Sequence, residues 1–564
     1  MWQFSVPPFA IFYIAALLVL VLRGRLCSSV MVATPILGAI NLWAMGEGTI
    51  LFQGAANFEF VIYHGDRLSL LFGYLFHLAG LIAILYALHV KDRLQQVASL
   101  LYAGSALGAV FAGDLITLFV FWELLALTSV FLIWARRTNR AYHAGMRYLM
   151  IQICSGLLLL AGIVVYSRYS DSLRFDQIGL EGLHGWLIFI AFGIKCAFPL
   201  LHNWLTDAYP ESTPTGAVFL SAFTTKVAVY ALARGYPGTE LLIYIGAAMT
   251  CFPIFFAVIE NDLRRVLAYS LVNQLGFMVV GIGVGTALAI NGAVAHAFTD
   301  VIFKGLLFMS MGAVLHVTGR MNGSDLGGLY KTMPKTTVLC IIGAASISAF
   351  PLFSGFVSKS MIMSAAISEN YSWVWLMLLF ASAGVFHHAG IKIPYFAFFA
   401  HDSGIRAKEP PVNMLIAMTI AAALCIGIGV FPDLLYRHLP FDMDYSAYDM
   451  THVLAQTQLL FFSALAFVWL NRRGLYPPEL RSVNLDGEWL YRRAAPALWW
   501  RCYGSWQRLL EILTKEFRRG QRTLSRRFDS AFSEQGVLSQ SASTGSIAAW
   551  MLAFLLVLIL LWSA

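Results

Sequence analysis

Sixteen apolar stretches, each close to the length of a helix that crosses a bilayer, recur along this chain. They fall near residues 8–23, 27–45, 67–90, 95–112, 114–135, 146–166, 184–205, 214–234, 239–259, 265–283, 287–316, 336–367, 373–398, 412–431, 455–470 and 547–562. Of the 564 residues, 59% are hydrophobic and 12% charged; a soluble domain has roughly twice that charged share. The fold class expected is therefore an all-α polytopic membrane protein. The first run, Phe9 to Leu22, lacks a basic flank and a clear cleavage site, and reads as an uncleaved helix.

Basic residues set the expected orientation. Arg23/Arg25, Lys91/Arg93, Arg136/Arg137/Arg140, Arg264/Arg265, Arg320/Lys331/Lys335, Arg406/Lys408 and Arg472/Arg473 gather in alternate loops. Those loops belong inside. Odd segments then run inward, and both termini face outside. The net charge of +8 is concentrated late: residues 472–527 hold thirteen Lys/Arg against five Asp/Glu. No nucleic-acid module accompanies them. Trp499, Trp500, Trp506, Leu509, Leu510, Ile512 and Phe517 interleave with this charge, as in an amphipathic helix at a membrane surface. The stretch 530–546, rich in Ser and Gly, is the part expected to be disordered if any is.

Inside the apolar stretches lie charges. Glu123 interrupts LITLFVFWELLALTSVFLIW, and Lys195 interrupts WLIFIAFGIKCAFPLLHNWL. Lys226, His296, Asp300, Lys304 and Lys359 follow. A charge in mid-bilayer costs at least a few kcal/mol, so such groups are rare and functional by default. Glu123 and Lys195 are the natural pair; a lysine losing its carboxylate partner is driven to release its proton. His296, Asp300 and Lys304 stand four residues apart and share a helix face. A purely structural ion pair is the competing reading, and it weakens as the series lengthens. Asp207, Glu211 and Asp114 read as loop or helix-end residues. Gly281–Gly285 is no nucleotide fingerprint, since it ends a membrane segment.

Two segments carry the same tetrapeptide: Ala197-Phe198-Pro199-Leu200 and Ala349-Phe350-Pro351-Leu352. A mid-helix proline breaks a helix. Breaks at matching places in oppositely running segments mark an inverted-repeat transporter. The divisions expected are 1–94 (first three helices), 95–235 and 236–400 (the two repeats), 401–471, the basic amphipathic segment 472–546, and a last helix, 547–564.

The stretches FVFWELLALTSVFLI, GIKCAFPLLHNWLTDAYPESTPTGAVFLSAFTTKVAVYALAR, DLRRVLAYSLVNQLGFM, HAFTDVIFKGLLFMSMGAVLH, DLGGLYKTMP and AFPLFSGFVSKSMI resemble the antiporter-like subunits of respiratory complex I and of multisubunit Mrp-type Na+/H+ antiporters. The resemblance spans about residues 65–400, and TTKVAVYALAR is most similar to the D type of Mrp subunit. It implies a fourteen-helix core of two inverted five-helix repeats, with a lateral helix and a last anchoring span. It also implies proton-relay roles for Glu123, Lys195, Lys226, His296, Lys304 and Lys359. Asp300 stands where complex I members often have a second histidine. Lys392, His387 and His388 lie outside the shared motif; interfacial placement is the first reading for them and a further relay role the alternative.

The function expected is proton translocation within a Na+ or K+/H+ antiporter, with partner membrane subunits, in the cell membrane. A transporter component of this kind is not itself catalytic. The alternative is a proton-pumping subunit of a complex I-like or hydrogenase assembly, or of an inorganic-carbon transporter. No cofactor is expected: the seven cysteines are scattered, without metal-ligand or iron–sulfur spacing.

Overall fold

In hydrocarbon every backbone N–H and C=O must be satisfied within the protein, which leaves the helix as the default for each apolar stretch. The computed structural model describes residues 6–53, 59–170, 172–481, 484–537, 539 and 543–563. Among them, thirteen helices are long and apolar enough to cross a membrane, and three shorter apolar helices accompany them. The chain is thus a multi-pass membrane protein. It divides into two compact units, Met1–Asn484 and Leu485–Ala564.

The first unit begins with α1 (Pro8–Val21) and α2 (Gly24–Met45), then a hairpin of β1 (Gly48–Gln53) and β2 (Glu59–Gly65). The hairpin was not expected of an all-α chain; its β-branched and aromatic residues pair antiparallel, Gly48 opposite Gly65. Next come α3 (Arg67–Ala87), α4 (Arg93–Phe111), α5 (Leu115–Trp134), α6 (Asn139–Tyr166), α7 (Gly182–Lys195), the short α8 (Asn203–Ala208) and α9 (Gly216–Ala222), α10 (Thr224–Gly235) and α11 (Glu240–Ile259). The second half adds α12 (Leu263–Val284), α13 (Ala287–Thr318), α14 (Pro334–Ile347), α15 (Ser354–Ser368), α16 (Ser372–Val385), α17 (Val412–Val430), α18 (Asp433–Tyr436) and α19 (Met450–Arg472). A π-helical stretch, Phe386–Lys392, continues α16.

The inverted repeat is written in backbone hydrogen bonds. Leu115 N donates to Leu173 O and Phe175 N to Gly113 O, both at 2.9 Å. The same bonds recur 148 residues later, from Leu263 N to Met321 O (3.1 Å) and from Gly323 N to Asn261 O (2.8 Å). Asp114 and Asp262 cap α5 and α12, and Thr138 and Thr286 cap α6 and α13, in the same register. Five membrane crossings separate Asp114 from Asp262, so the two copies point in opposite directions.

The two AFPL breaks also match. Phe198 N returns to Gly193 O, and Phe350 N to Ala345 O, each at 3.0 Å. Ala197, Leu200, Ala349 and Leu352 all take positive φ, from 56° to 75°. A left-handed residue other than glycine costs about 1–2 kcal/mol, so each break holds strain twice. The helices on either side are thereby split in mid-membrane.

The repeats meet other helices at close range. Gly276 of α12 faces α11, where an added Cβ would lie 2.6 Å from Thr250 N and 2.7 Å from Gly246 O. Small residues let helix backbones approach this closely in membranes. In the second unit, α20 (Ala495–Ala531) is a 37-residue amphipathic helix, followed by the apolar α21 (Thr544–Trp562). Trp499, Tyr503, Trp506, Leu510, Leu513 and Phe517 form one stripe of α20, while Arg501, Arg508, Lys515 and Arg522 repeat every seven residues away from it. Part of the 530–546 tail, residues 538 and 540–542, lies outside the described residues.

Gly276→Val must spread α11 and α12. The expected result is a loss of about 1–3 kcal/mol, the usual cost of overpacking, read as a lower thermal midpoint of the purified protein, while Gly427→Val, at a glycine with open space around it, leaves the midpoint unchanged.

Candidate functional site

Each buried lysine in the series has its amine placed on a backbone carbonyl, in most cases one beside a helix break or end. Lys195 ends α7 at the first break. Its Nζ donates to Trp122 O of α5 at 2.6 Å and stands 4.6 Å above the Trp122 ring. Lys359 sits in α15, past the second break, and its Nζ donates back to Ile347 O, the last carbonyl of α14, at 2.8 Å. The C-terminal end of a half-helix carries unpaired carbonyls and partial negative charge, which suits an ammonium. Lys226 follows the discontinuity at Phe223 and donates to Ser221 O at 3.3 Å; Lys304 donates to Leu267 O at 3.4 Å.

Glu123 does not form the expected ion pair with Lys195. Its Oε1 is buried without a hydrogen-bond partner, in a notch of α6 at Gly156. A Cβ on Gly156 would fall 1.3 Å from that oxygen. The carboxylate thus turns toward α6 while the lysine turns to Trp122, one residue away on the same helix. Trp122 is itself held by Ser155, through Nε1 to Oγ at 3.0 Å.

Asp300 and Lys226 do pair, at 2.5 Å, with both side chains fully buried. Lys226 belongs to the first repeat and Asp300 to the second, so this bond joins them. Breaking such a pair by removing one partner costs about 3–5 kcal/mol, because a bare charge is left in a dry site.

His296 sits between two helices. Its Nδ1 is 2.9 Å from Ser358 Oγ of α15, and its Nε2 is 3.2 Å from Gln274 Oε1 of α12. Asn273 fixes the tautomer: its amide donates to the Thr250 carbonyl, so its Oδ1 faces Gln274 Nε2 at 2.7 Å. Gln274 Oε1 is then left to accept from His296 Nε2–H. In the neutral ring Nδ1 is the free acceptor, facing Ser358, the residue beside Lys359. Phe277 lies under both, 5.9 Å from the His296 ring and 5.0 Å from Lys359 Nζ. His296, Asp300 and Lys304 share α13 as expected, yet each engages a different element.

Lys392 closes the series at the opposite membrane end. It is fully buried, donating to Val258 O (2.7 Å) and Glu260 O (2.6 Å) at the end of α11, and pairing with Glu479 at 2.9 Å. Burial raises the Glu479 carboxyl above its usual value, against the pull of Lys392. His387 packs edge-on against Phe467 and obliquely against Tyr476. His388 is fully buried. Asp207 and Glu211 are engaged by Arg147 (2.6 Å) and Arg140 (2.5 Å), and Asp114 caps α5.

Sequence reasoning missed Glu479 and several residues without charge: Gly156, Trp122, Gln274 and Ser358. Gln152 of α6 joins them, buried with both amide atoms unpartnered. It stands 148 residues before Asp300, so the repeat register is the signal that would have found it.

Residues 112–387 match the family model described as NADH:quinone oxidoreductase/Mrp antiporter, transmembrane. The chain is 31% identical to the A-type subunit of the Na+/H+ antiporter of Alkalihalophilus pseudofirmus over 444 residues, covering 69% of this chain and 54% of the relative. It is 30% identical to the A/B-type subunit of a probable K+/H+ antiporter of Rhizobium meliloti over 398 residues, covering 65% and 40%. The chain thus spans about half the length of the curated relatives it matches. Among solved structures, it is similar to a chain of the Mrp complex from a Dietzia species (TM-score 0.69, 20% identity, 83% of this chain and 99% of that one). It is also similar to a chain of the archaeal membrane-bound sulfane sulfur reductase (TM-score 0.72, 23% identity, 99% and 100%). These two likenesses establish the fold.

The buried pair gives a direct test of the structure. Lys226→Met or Asp300→Leu alone should destabilise the protein by about 3–5 kcal/mol. The double variant should recover most of that in thermal unfolding.

Proposed function

We propose that this chain, a membrane subunit of the Mrp antiporter/complex I-like family, carries protons laterally through the bilayer in exchange for a monovalent cation, Na+ or K+, within a multisubunit assembly. The observation that carries the reading is the Lys226–Asp300 ion pair, which links the charged groups of two inverted repeats inside one buried core. The proposed order is Glu123, Lys195, Lys226 with Asp300, Lys304 and His296, then Lys359. Glu123 in its notch at Gly156 and Lys195 on Trp122 represent the separated state of the switch. Return of the carboxylate toward the lysine favours the charged amine, and withdrawal releases its proton.

The relatives named above are antiporter subunits of the A type, whereas TTKVAVYALAR is most similar to the D type. We propose that the chain supplies one antiporter-like module, the part that both types share. Basic loops at the Arg136 end belong inside by the positive-inside bias. That puts Asp114, Asp449 and both chain ends outside, in the cell membrane. A second reading, a proton-pumping subunit of an electron-driven complex, is favoured by the match that covers nearly the whole chain, α20 and α21 included. In that case α20 is the element through which neighbouring subunits are held.

Inverted vesicles from cells expressing the chain with its partner subunits separate these readings. Addition of Na+ or K+ should dissipate an imposed pH gradient, and Glu123→Ala or Lys195→Ala should lower the rate at least tenfold at unchanged protein level. No response to either cation in the wild type overturns the antiporter reading in favour of the electron-driven one.

A further inference from the structure

Lys359 is not sealed. It borders a cavity of about 280 Å³ between α15, α16 and α19, lined by Lys359, Ser360, Ser364, Thr451, His452 and Gln456 along its polar side. Trp375 and Leu379 form part of the apolar wall. Water takes about 30 Å³ a molecule, so the space holds several, and the hydroxyls and the Gln456 amide give them partners. Gln456 Nε2 also donates to Ser348 O, beside the second helix break, at 3.0 Å.

At the mouth stands a chain of three groups. His452 Nε2 is 3.0 Å from Ser364 Oγ, on the cavity side. His452 Nδ1 is 2.8 Å from Asp449 Oδ2, on the solvent side. Exposure rises outward along it: Lys359 is 2% exposed, the His452 side chain 28% and the Asp449 side chain 49%. The Asp449 carboxylate beside Nδ1 favours the tautomer with the ring proton on that nitrogen, which leaves Nε2 to accept from the Ser364 hydroxyl. Tyr445 is the other titratable group here, with its OH 3.2 Å from Ser364 Oγ. Asp449 caps α19, and α19 starts at the same membrane end as α5.

We propose that His452, oriented by Asp449, is the proton port between Lys359 and the aqueous phase at the Asp114 end. This rests on the relay reading above. A proton leaving Lys359 Nζ passes along cavity water to the Ser364 hydroxyl and onto His452 Nε2. The ring then gives up its Nδ1 proton to Asp449, which passes it to bulk water, and the tautomer resets by exchange with water. Entry is the reverse. Each transfer moves one proton and breaks no other bond.

The test uses the assembled complex. His452→Gln keeps a polar side chain but carries no proton; it should lower proton transport at least fivefold. His452→Glu restores a proton carrier. It should regain rate, with a dependence on pH at that face unlike that of the Gln variant. Ser364→Cys should react with a small water-soluble thiol reagent applied from that side, above the background of native Cys154 and Cys502, which are exposed. Wild-type rates in His452→Gln, identical pH profiles for the Gln and Glu variants, or an unlabelled Ser364→Cys would each overturn the port. Lys359→Ala separates the two readings: if it also transports normally, the relay itself is wrong, and if it alone is inactive, only the port is.

Discussion

A bare ammonium in a membrane interior is costly, and so is a bare carbonyl; placing one on the other reduces both costs. This exchange underlies the whole core. Breaking a helix in mid-bilayer exposes carbonyls that would otherwise cost about 1–3 kcal/mol each. Burying a lysine there costs several kcal/mol more in desolvation. Lys359 on Ile347 O and Lys392 on the end of α11 settle both demands at once. The amines stay close to neutral carbonyl partners, and fixed anions join them only at Lys226–Asp300 and Lys392–Glu479 among the described residues of the series. A carbonyl holds an ammonium less tightly than a carboxylate does, because it carries only a partial negative charge.

The repeats share backbone and diverge in charge. Residue by residue along the first pair of helices, Glu123 corresponds to Leu271, Tyr148 to His296, Gln152 to Asp300 and Gly156 to Lys304. Past the breaks, the matched hydrogen bonds pair Lys195 with Ile347 and Asp207 with Lys359. One break therefore carries its lysine on the carbonyl-bearing half-helix, and the other reaches back across the gap. The glycine at 156 is what makes room for the carboxylate of Glu123; its counterpart, Lys304, fills the same place with a cation. A duplicated scaffold has been loaded with two different halves of one charged row.

Glycines and hydroxyls set the geometry that charges alone leave open. Gly276 brings α11 and α12 into backbone contact, and Gly156 decides which way Glu123 turns. The Thr250–Asn273–Gln274 chain determines which nitrogen of His296 bears the proton. None of these residues has a charge to draw attention in a sequence, yet each fixes the position or state of one that does.

Hydropathy, basic loops and the repeated AFPL were legible from the chain by itself. They follow from local chemistry: an apolar run of bilayer length becomes a helix, and a proline within it breaks one. The identity of the membrane-buried charges was legible for the same reason, since a charge stands out against apolar neighbours. Partnership was not. The expected bond of Glu123 to Lys195 is absent, and Lys226 finds Asp300 seventy-four residues away instead. Lys392 finds Glu479, eighty-seven residues away. A small hairpin, Gly48–Gly65, went unseen among helices. Residues far apart in sequence meet only once helices are packed, and that packing turns on where glycines allow approach. Sequence alone thus determined the membrane spans, the breaks and the charges; only the tertiary structure decided which carbonyl, carboxylate or cavity each charge faces, because those distances are set between helices and not along them.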